Sequence, residues 1–308
     1  MKYILGIDSG GTKYLVRAMN TAGEVLAEYT GVPCRHYQIG EQETAKRVEE
    51  NITACLSMFG GKREDCLAIA AGISGIDSEE DSVILHRIYR NLDGFNCPIR
   101  CLNDAEMTHY TVTGGVGVLV ISGTGSIAYG VNEKGESARV GGWLFSIFSD
   151  EGSGQYITRK ALAHYSRYLD GCYEHTELID LIEERVGKLG RKGLMEFATA
   201  IATPPWELPS LSIEVNKAAD NGNVYAAEIL KDAAVQTSAL ADEVIKQLKL
   251  YEAESFNIGV WGSAIVKSKL HLAEFSRILT EKYPNAKIAL PQTDAADGAC
   301  RMALSMCK

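Results

Sequence analysis

Residues 4–19 read Ile-Leu-Gly-Ile-Asp-Ser-Gly-Gly-Thr-Lys-Tyr-Leu-Val-Arg-Ala-Met, two apolar runs joined by a glycine-rich turn. The first run is short and rich in β-branched residues, and the second has no helical stripe, so each predicts a strand. A Gly-Gly turn between strands can bring backbone N–H groups close to an anion, because glycine has no Cβ to collide. An ordinary tight hairpin with a polar turn explains this stretch equally well.

The polar groups at this turn narrow the possible nucleotide sites. Asp8 ends the first strand, where its carboxylate can hold Mg²⁺ directly or through water, and Thr12 adds a hydroxyl donor. A G-x-G-x-x-G turn should open a helix, whereas this turn opens a strand, so a Rossmann fold is not predicted. The chain contains no G-x-x-x-x-G-K-[ST] sequence, which excludes a P-loop.

Length, composition and charge limit the class of protein. The 308 residues exceed the size at which a single core stops growing, so two domains are expected. A hydrophobic fraction of 46% is that of a globular enzyme. The formal charge of -9 argues against nucleic acid or an anionic membrane as the main partner. No signal peptide or long apolar run is recognised, so a cytoplasmic protein is expected.

The order of predicted elements indicates an α/β fold with an internal repeat. Strands followed by helices extend from the opening hairpin to a strand that ends before Asn103. At Gly114 the opening pattern restarts, with a strand over 117–121, a Gly/Thr turn over 122–126 and a second strand over 127–131. An internal repeat of this kind indicates two related halves.

Five short motifs together resemble the phosphate-1, phosphate-2 and adenosine motifs of the actin–hexokinase–chaperone superfamily. The resemblance runs nearly the whole length and is closest to the N-acetylglucosamine kinase branch of the BadF/BadG/BcrA/BcrD ATPase family. The motifs are Asp8-Ser9-Gly10-Gly11-Thr12, Asn103-Asp104-Ala105, Ile121-Ser122-Gly123-Thr124-Gly125-Ser126, Gly141-Gly142-Trp143 with Asp150-Glu151-Gly152-Ser153, and Gly262-Ser263.

The resemblance implies two actin-like, ribonuclease H-like domains with an ATP cleft between them. The expected boundaries are 1–113 with 293–308 for the first domain and 114–292 for the second. ATP and Mg²⁺ are the implied cofactors, a small amino sugar is the implied substrate, and a homodimer is the expected assembly. The implied cofactor-binding residues are Asp8 (also the Mg²⁺ ligand), Gly10, Gly11, Thr12, Gly123, Thr124, Gly125, Gly262 and Ser263. A plain helix-start turn is the alternative for Gly262.

Asp104 is the implied general base. It follows a strand end, where the family places the aspartate that accepts the proton of the sugar hydroxyl. The carboxyl ends of strands face the ligand crevice in open α/β sheets, so the position is physically sensible. An aspartate that caps the following helix is the alternative.

The implied sugar contacts are less regular. Arg35 stands where the related kinases have asparagine, and it could grip a carboxylate such as the lactyl group of N-acetylmuramic acid. Trp143 could pack on an acetyl group or be an interior aromatic, Ser74 could serve only a turn, and Asp150 could also cap a helix. The loop from Trp143 to Asp150 is about one residue longer than expected. The substrate-binding set is Arg35, His36, Tyr37, Ser74, Asp104, Ser126, Gly142, Trp143 and Asp150.

The implied reaction is transfer of the γ-phosphate of ATP to the C6 hydroxyl of N-acetylglucosamine, and of N-acetylmuramic acid. Three alternatives remain. One is a kinase for glucosamine or another hexose. Another is an ATPase activator of a 2-hydroxyacyl-CoA dehydratase, which needs cysteines placed to bridge an iron–sulfur cluster. The third is a sugar-sensing regulator of the ROK type, for which no helix-turn-helix is recognised.

Overall fold

The computed structural model of the protein describes residues 1–10, 13–76, 78–143, 149–201 and 210–307. The chain divides into two compact units, Met1–Gly115 with Pro291–Lys308, and Val116–Leu290. Each unit is built on one five-stranded sheet covered by helices. The predicted α/β class is therefore confirmed.

The strands follow the predicted order along the chain. Their bounds are β1 Tyr3–Ser9, β2 Tyr14–Asn20, β3 Val25–Gly31, β4 Cys66–Ile73, β5 Ile99–Asn103, β6 Gly117–Ser122, β7 Ser126–Val131, β8 Ser137–Gly141, β9 Phe256–Trp261 and β10 Ala286–Ala289. The opening stretch forms an antiparallel hairpin in which Ser9 pairs with Tyr14. The second Gly/Thr stretch forms a hairpin of the same kind, in which Ser122 pairs with Ser126.

Helices occupy most of the remaining chain. Their bounds are α1 His36–Ile39, α2 Glu41–Phe59, α3 Glu79–Arg90, α4 Asp104–Thr113, α5 Gly154–Leu169, α6 Glu177–Val186, α7 Gly190–Ile201, α8 Ser212–Asp220, α9 Val224–Gln247, α10 Ser263–Val266, α11 Lys269–Lys282 and α12 Ala295–Ser305. Among the described residues, no helix is long and apolar enough to cross a membrane.

The two sheets have the same topology. The first has the order β3-β2-β1-β4-β5, and the second, taken from its antiparallel edge, has the order β8-β7-β6-β9-β10. In each sheet the first three strands form an antiparallel meander, and the last two run parallel to the first. The internal repeat inferred from the two hairpins is thus a repeat of the whole sheet.

In the first unit, apolar side chains pack on both faces of the sheet. Ile7 and Ile73 point toward the α2 and α3 side, while Ile4 and Ala70 point toward the side of α4 and α12. The final helix lies unusually close to β1, because a Cβ at Gly6 would approach the backbone nitrogen of Cys300 to 2.5 Å. This contact makes residues 291–308 part of the first unit.

The second unit has two apolar clusters. One lies between the sheet and helices α9 and α11, and includes Val118, Ile258 and Phe275. The other joins α5, α6, α8 and α9 away from the sheet. The unit therefore has a sheet layer that positions its turns and a helical layer that supports them.

Candidate functional site

In the first unit, the candidate residues Asp8 and Asp104 lie at one edge of the sheet. Strands β1, β4 and β5 are parallel, and their last residues Ser9, Ile73 and Asn103 are in register. Asp8 and Asp104 therefore stand at the carboxyl ends of strands that share β4 as a neighbour. This is the edge at which open α/β sheets bind ligands.

Asp104 is the first residue of α4 and is half-buried. The helix is capped by Asn103, whose Oδ1 accepts a hydrogen bond from the Ala105 N–H at 2.9 Å. Glu106 completes a capping box, because its Oε2 accepts from the Asn103 N–H at 3.1 Å. The alternative in which Asp104 is the cap is therefore wrong. Its own Oδ1 also accepts from the Ala105 N–H at 2.9 Å, which orients the carboxylate.

The Asp8 carboxylate is half-buried, and burial raises its pKa above the ordinary value. Asp294 raises this pKa further, whereas the charges of Lys13 and Arg17 oppose the shift. The two terminal guanidinium nitrogens of Arg17 donate to the carboxylate of Asp294, each at 2.7 Å. Burial and a neighbouring carboxylate both favour a cation beside Asp8. Within the described ranges, no group of three metal-ligating side chains lies together.

The turn of the opening hairpin is described at its first and last residues, Gly10 and Lys13. A Cβ at Gly10 would meet nothing closer than the Lys13 carbonyl oxygen at 3.8 Å, so this position is open. Gly11 and Thr12 lie outside the described residues.

The turn of the second hairpin is held by hydrogen bonds to the start of α5. The Gly123 N–H donates to the Gly125 oxygen at 2.9 Å, which closes the turn on itself. The Gly154 N–H donates to the Gly123 oxygen at 2.8 Å, and the Gln155 N–H donates to the Thr124 oxygen at 3.2 Å. The Gly123 N–H, expected as a phosphate donor, is thus engaged within the turn. The Thr124 side chain is exposed.

The Asp150 side chain also holds this turn in place. It is 6% exposed and has a φ of 67°, an uncommon conformation for a residue other than glycine. Its Oδ1 accepts from the Ser126 N–H at 2.9 Å, and this oxygen would be 2.5 Å from a Cβ at Gly125. The expectation that Asp150 caps the helix is wrong, because the α5 cap is Ser153, whose side chain accepts from the Tyr156 N–H at 3.2 Å.

Ser126 and Gly262 pack into this arrangement. The Ser126 hydroxyl donates to the Glu151 oxygen at 2.7 Å, so that side chain is satisfied within the unit. Gly262 caps α10 with a φ of 93°, and any Cβ there would overlap the carbonyl group of Ser122. Gly262 therefore does stand at the start of a helix. Only glycine fits at this position, because the Ser122 carbonyl group lies so close. Ser263 beside it is exposed.

The loop after β3 is placed against the end of β4. His36 is buried, and its Nε2 lies 2.6 Å from Asp81 Oδ1 on α3. The Tyr37 ring is 59% exposed and covers Gly75, where a Cβ would lie 2.7 Å from the ring. Ser74 is tied to the sheet edge, because its N–H donates to the Ser9 oxygen at 2.9 Å. Arg35 precedes α1, and its Nε is buried without a hydrogen-bond partner among the residues described.

Asp81 is the residue of this group that the sequence did not single out. Ser78 three positions earlier is a helix-cap signal, and Ser78 does cap α3. That signal locates the start of the helix but says nothing about a histidine 45 positions away.

Trp143 lies in the second unit and is 78% exposed, so the interior-aromatic alternative is wrong. Gly142 before it has a φ of 71°, and its N–H donates to the Ser126 oxygen at 3.0 Å. The following residues 144–148 of the expected sugar loop lie outside the described residues, whereas Ser149 is buried.

Two sheets of identical order, each with a tight turn after its first strand and polar residues at the carboxyl ends of its parallel strands, define an actin-like ATPase fold. The chain belongs to the BadF/BadG/BcrA/BcrD ATPase family, whose model matches residues 5–303.

Two curated relatives match this chain from end to end. The N-acetylmuramic acid/N-acetylglucosamine kinase of Clostridium acetobutylicum is 33% identical over 100% of both chains. The N-acetyl-D-glucosamine kinase of Dictyostelium discoideum is 31% identical over 98% of this chain and 97% of its own. The crystal structure of a candidate N-acetylglucosamine kinase from Chromobacterium violaceum has a TM-score of 0.70 at 23% identity, over 100% and 99% of the two chains. That structure supports the fold.

Proposed function

We propose that this chain is a sugar kinase that transfers the γ-phosphoryl group of ATP to the C6 hydroxyl of N-acetylglucosamine and of N-acetylmuramic acid. Membership of an ATPase family supports ATP as the donor, and the full-length relatives support an amino sugar as the acceptor. The observation that carries the proposal is the position of Asp104 at the carboxyl end of β5, on the same sheet edge as Asp8.

Asp104 is the proposed general base. Its carboxylate would accept the proton of the sugar hydroxyl while the hydroxyl oxygen attacks the γ-phosphorus and ADP leaves. Phosphoryl transfer depends on positioning and charge neutralisation more than on covalent help, so a well-oriented carboxylate is sufficient. The hydrogen bond from the Ala105 N–H supports this orientation.

The phosphate groups of ATP are the proposed ligands of the two glycine turns. The open space beside Gly10 supports close approach of an anion there, and Gly11 and Thr12 complete that turn. In the second unit, the exposed Thr124 and the neighbouring glycines 123 and 125 are the proposed contacts, held in shape by α5. Gly262 and the exposed Ser263 would pass under the adenosine.

Mg²⁺ fits the surroundings of Asp8. The residue supplies a carboxylate oxygen, the ligand type that this cation prefers, at a place where burial raises the pKa of the acid. Asp8 would hold the ion directly or through water, and the bound ion would neutralise charge on the phosphates.

Each unit holds residues that are proposed to contact the sugar. In the first unit they are Arg35, His36, Tyr37 and Ser74, with Arg35 assigned to the lactyl carboxylate of N-acetylmuramic acid. In the second unit they are Ser126, Gly142, Trp143 and Asp150, of which Trp143 is exposed enough to meet a ligand. The expected domain bounds (1–113 with 293–308, and 114–292), a homodimer and a cytoplasmic location also stay proposals, and light scattering of the purified protein would decide the assembly.

A panel of sugars with ATP and Mg²⁺ tests the proposal. N-acetylglucosamine and N-acetylmuramic acid should be phosphorylated, with weak ATP hydrolysis when no sugar is present. A preference for glucosamine or glucose would mean that this sugar is the substrate instead. A coloured protein with sugar-independent ATPase activity would favour the dehydratase activator.

The Asp104→Asn variant should lose phosphoryl transfer by about 10²-fold or more while still binding sugar, because a proton acceptor is removed and the shape is kept. Glu106→Gln is the matched control. It removes a carboxylate from the same helical turn but retains a side-chain acceptor for the capping box. Near-native turnover in Asp104→Asn would show that the base is another group.

A further inference from the structure

His36 is held in one orientation by a chain of polar contacts on α3. Its Nε2 lies 2.6 Å from Asp81 Oδ1, and the imidazole is only 7% exposed. The other carboxylate oxygen, Oδ2, accepts a hydrogen bond from the Ser78 hydroxyl at 2.5 Å. Ser78 Oγ in turn accepts from the Asp81 N–H at 3.1 Å. Both oxygens of the carboxylate are therefore engaged, and its plane is fixed relative to the imidazole.

This arrangement determines which imidazole nitrogen carries the proton. An ionised carboxylate can only accept a hydrogen bond, so the Nε2 of a neutral His36 must donate to Asp81. The other ring nitrogen, Nδ1, is then an acceptor. Among the described residues this Nδ1 is buried and has no hydrogen-bond partner. A buried acceptor without a partner is unfavourable, because it has lost its bonds to water, and such atoms are few in native proteins.

The surroundings of His36 indicate what could supply the missing donor. The Tyr37 ring lies edge-on against the imidazole, with ring centres 5.6 Å apart and planes at 86°. This ring is 59% exposed and rests on Gly75, next to the strand end that carries Ser74. Arg35, on the other side of His36 in sequence, also has a buried Nε without a partner in the described part of the chain. Two such atoms on consecutive residues point to a ligand.

We infer that Asp81 is a positioning residue that presents His36 Nδ1 as an acceptor to a hydrogen-bond donor of the sugar, a hydroxyl or an amide N–H. The inference rests on the proposed sugar kinase function. Asp81 does not touch the substrate and acts through the imidazole, in the way that a buried carboxylate orients a histidine in other enzymes. The exposed Tyr37 ring shifts to let the sugar reach the nitrogen.

Enzyme kinetics test the coupling between the two residues. Asp81→Ala and His36→Ala should each raise the KM for the sugar about tenfold, the value of one lost hydrogen bond, and leave the KM for ATP within about twofold. The double variant should be no worse than His36→Ala, because Asp81 acts only through the ring. Asp81→Asn, whose amide oxygen can still accept from Nε2, should recover part of the loss.

The control is Glu80→Gln, which removes a negative charge from the same turn of α3 without touching His36. It should keep the native KM values, since only the contribution of charge at the helix N-terminus is changed. A rise in the sugar KM for Glu80→Gln equal to that for Asp81→Ala would overturn the inference.

The ¹⁵N spectrum of the histidines gives an independent readout. His36 should show a protonated Nε2 and an unprotonated Nδ1, and the Nδ1 signal should shift when N-acetylglucosamine is added. In Asp81→Ala the ring should become a mixture of tautomers. Unchanged sugar KM values in both alanine variants would overturn this inference and leave the proposed function standing. Absence of sugar turnover by the native protein would overturn the proposed function, and the spectrum would still decide whether Asp81 fixes the ring.

Discussion

Arg35 precedes the short helix α1 and makes no side-chain capping bond, yet its Nε is buried without a partner among the described residues. A guanidinium in this state suits a planar anion, because its fork matches the two oxygens of a carboxylate. N-acetylmuramic acid carries such a group and N-acetylglucosamine does not. The two sugars therefore separate the role of Arg35 from that of the rest of the loop.

Arg35→Ala should lower kcat/KM for N-acetylmuramic acid about tenfold or more relative to N-acetylglucosamine, because a charge-assisted bond contributes about 1.5–3 kcal/mol. The Arg35→Lys variant should have a ratio of kcat/KM values between those of the native protein and Arg35→Ala. Lysine keeps the charge but lacks the planar fork of the guanidinium. Arg87→Ala removes an arginine from an exposed ion pair with Glu41 and should leave the ratio unchanged. An unaltered ratio in Arg35→Ala would remove the lactyl assignment.

Helices α9 and α11 meet at a buried polar contact in the second unit. The Nε2 of His271 lies 3.0 Å from the Thr237 hydroxyl, and the imidazole is fully buried. Burial lowers the pKa of His271 from its ordinary value of 6.5 to about 4. Between these two values the unfolded chain binds more protons than the folded chain at this site. The contribution of His271 to stability is therefore complete above about pH 6.5 and is lost as the pH falls toward 4.

Comparing native protein with His271→Leu measures this effect. Between pH 7.5 and 4.5 the native free energy of unfolding, from urea titrations, should fall by about 2–3 kcal/mol more than that of the variant. Equal pH dependence in native protein and His271→Leu would show that the ring is not buried neutral.

Elements were predictable where the signal is local. The hairpins are predictable because short apolar runs flank glycine turns. Contacts between residues far apart in the chain could not be predicted from the sequence. The sequence could not show that Asn103 takes the cap beside Asp104, or that Asp150 turns its carboxylate toward Ser126. These depend on backbone angles and on packing, which residue type and spacing do not encode.

At the scale of the whole molecule, the path of the chain makes the two units unequal. The second unit is one continuous segment, Val116–Leu290, whereas the first needs both ends of the chain, Met1–Gly115 and Pro291–Lys308. The returning helix α12 fills one face of the first sheet with Ala299, Cys300 and Ala303. Its approach is so close that a Cβ at Gly6 or at Gly298 would overlap its neighbours. Without α12, the part of that face over β1 would be exposed to water, because α4 lies over β4 and β5.

A fragment of residues 116–290 should therefore fold by itself, with a cooperative thermal transition followed by circular dichroism. A fragment of residues 1–115 should not, because losing the α12 face exposes buried apolar side chains at a cost of about 25 cal/mol per Å². Joining residues 291–308 to residue 115 through a flexible Gly/Ser linker should restore the transition, which serves as the control. Cooperative melting of residues 1–115 alone would mean that the first sheet is stable without α12, and that the closing helix adds little to the fold.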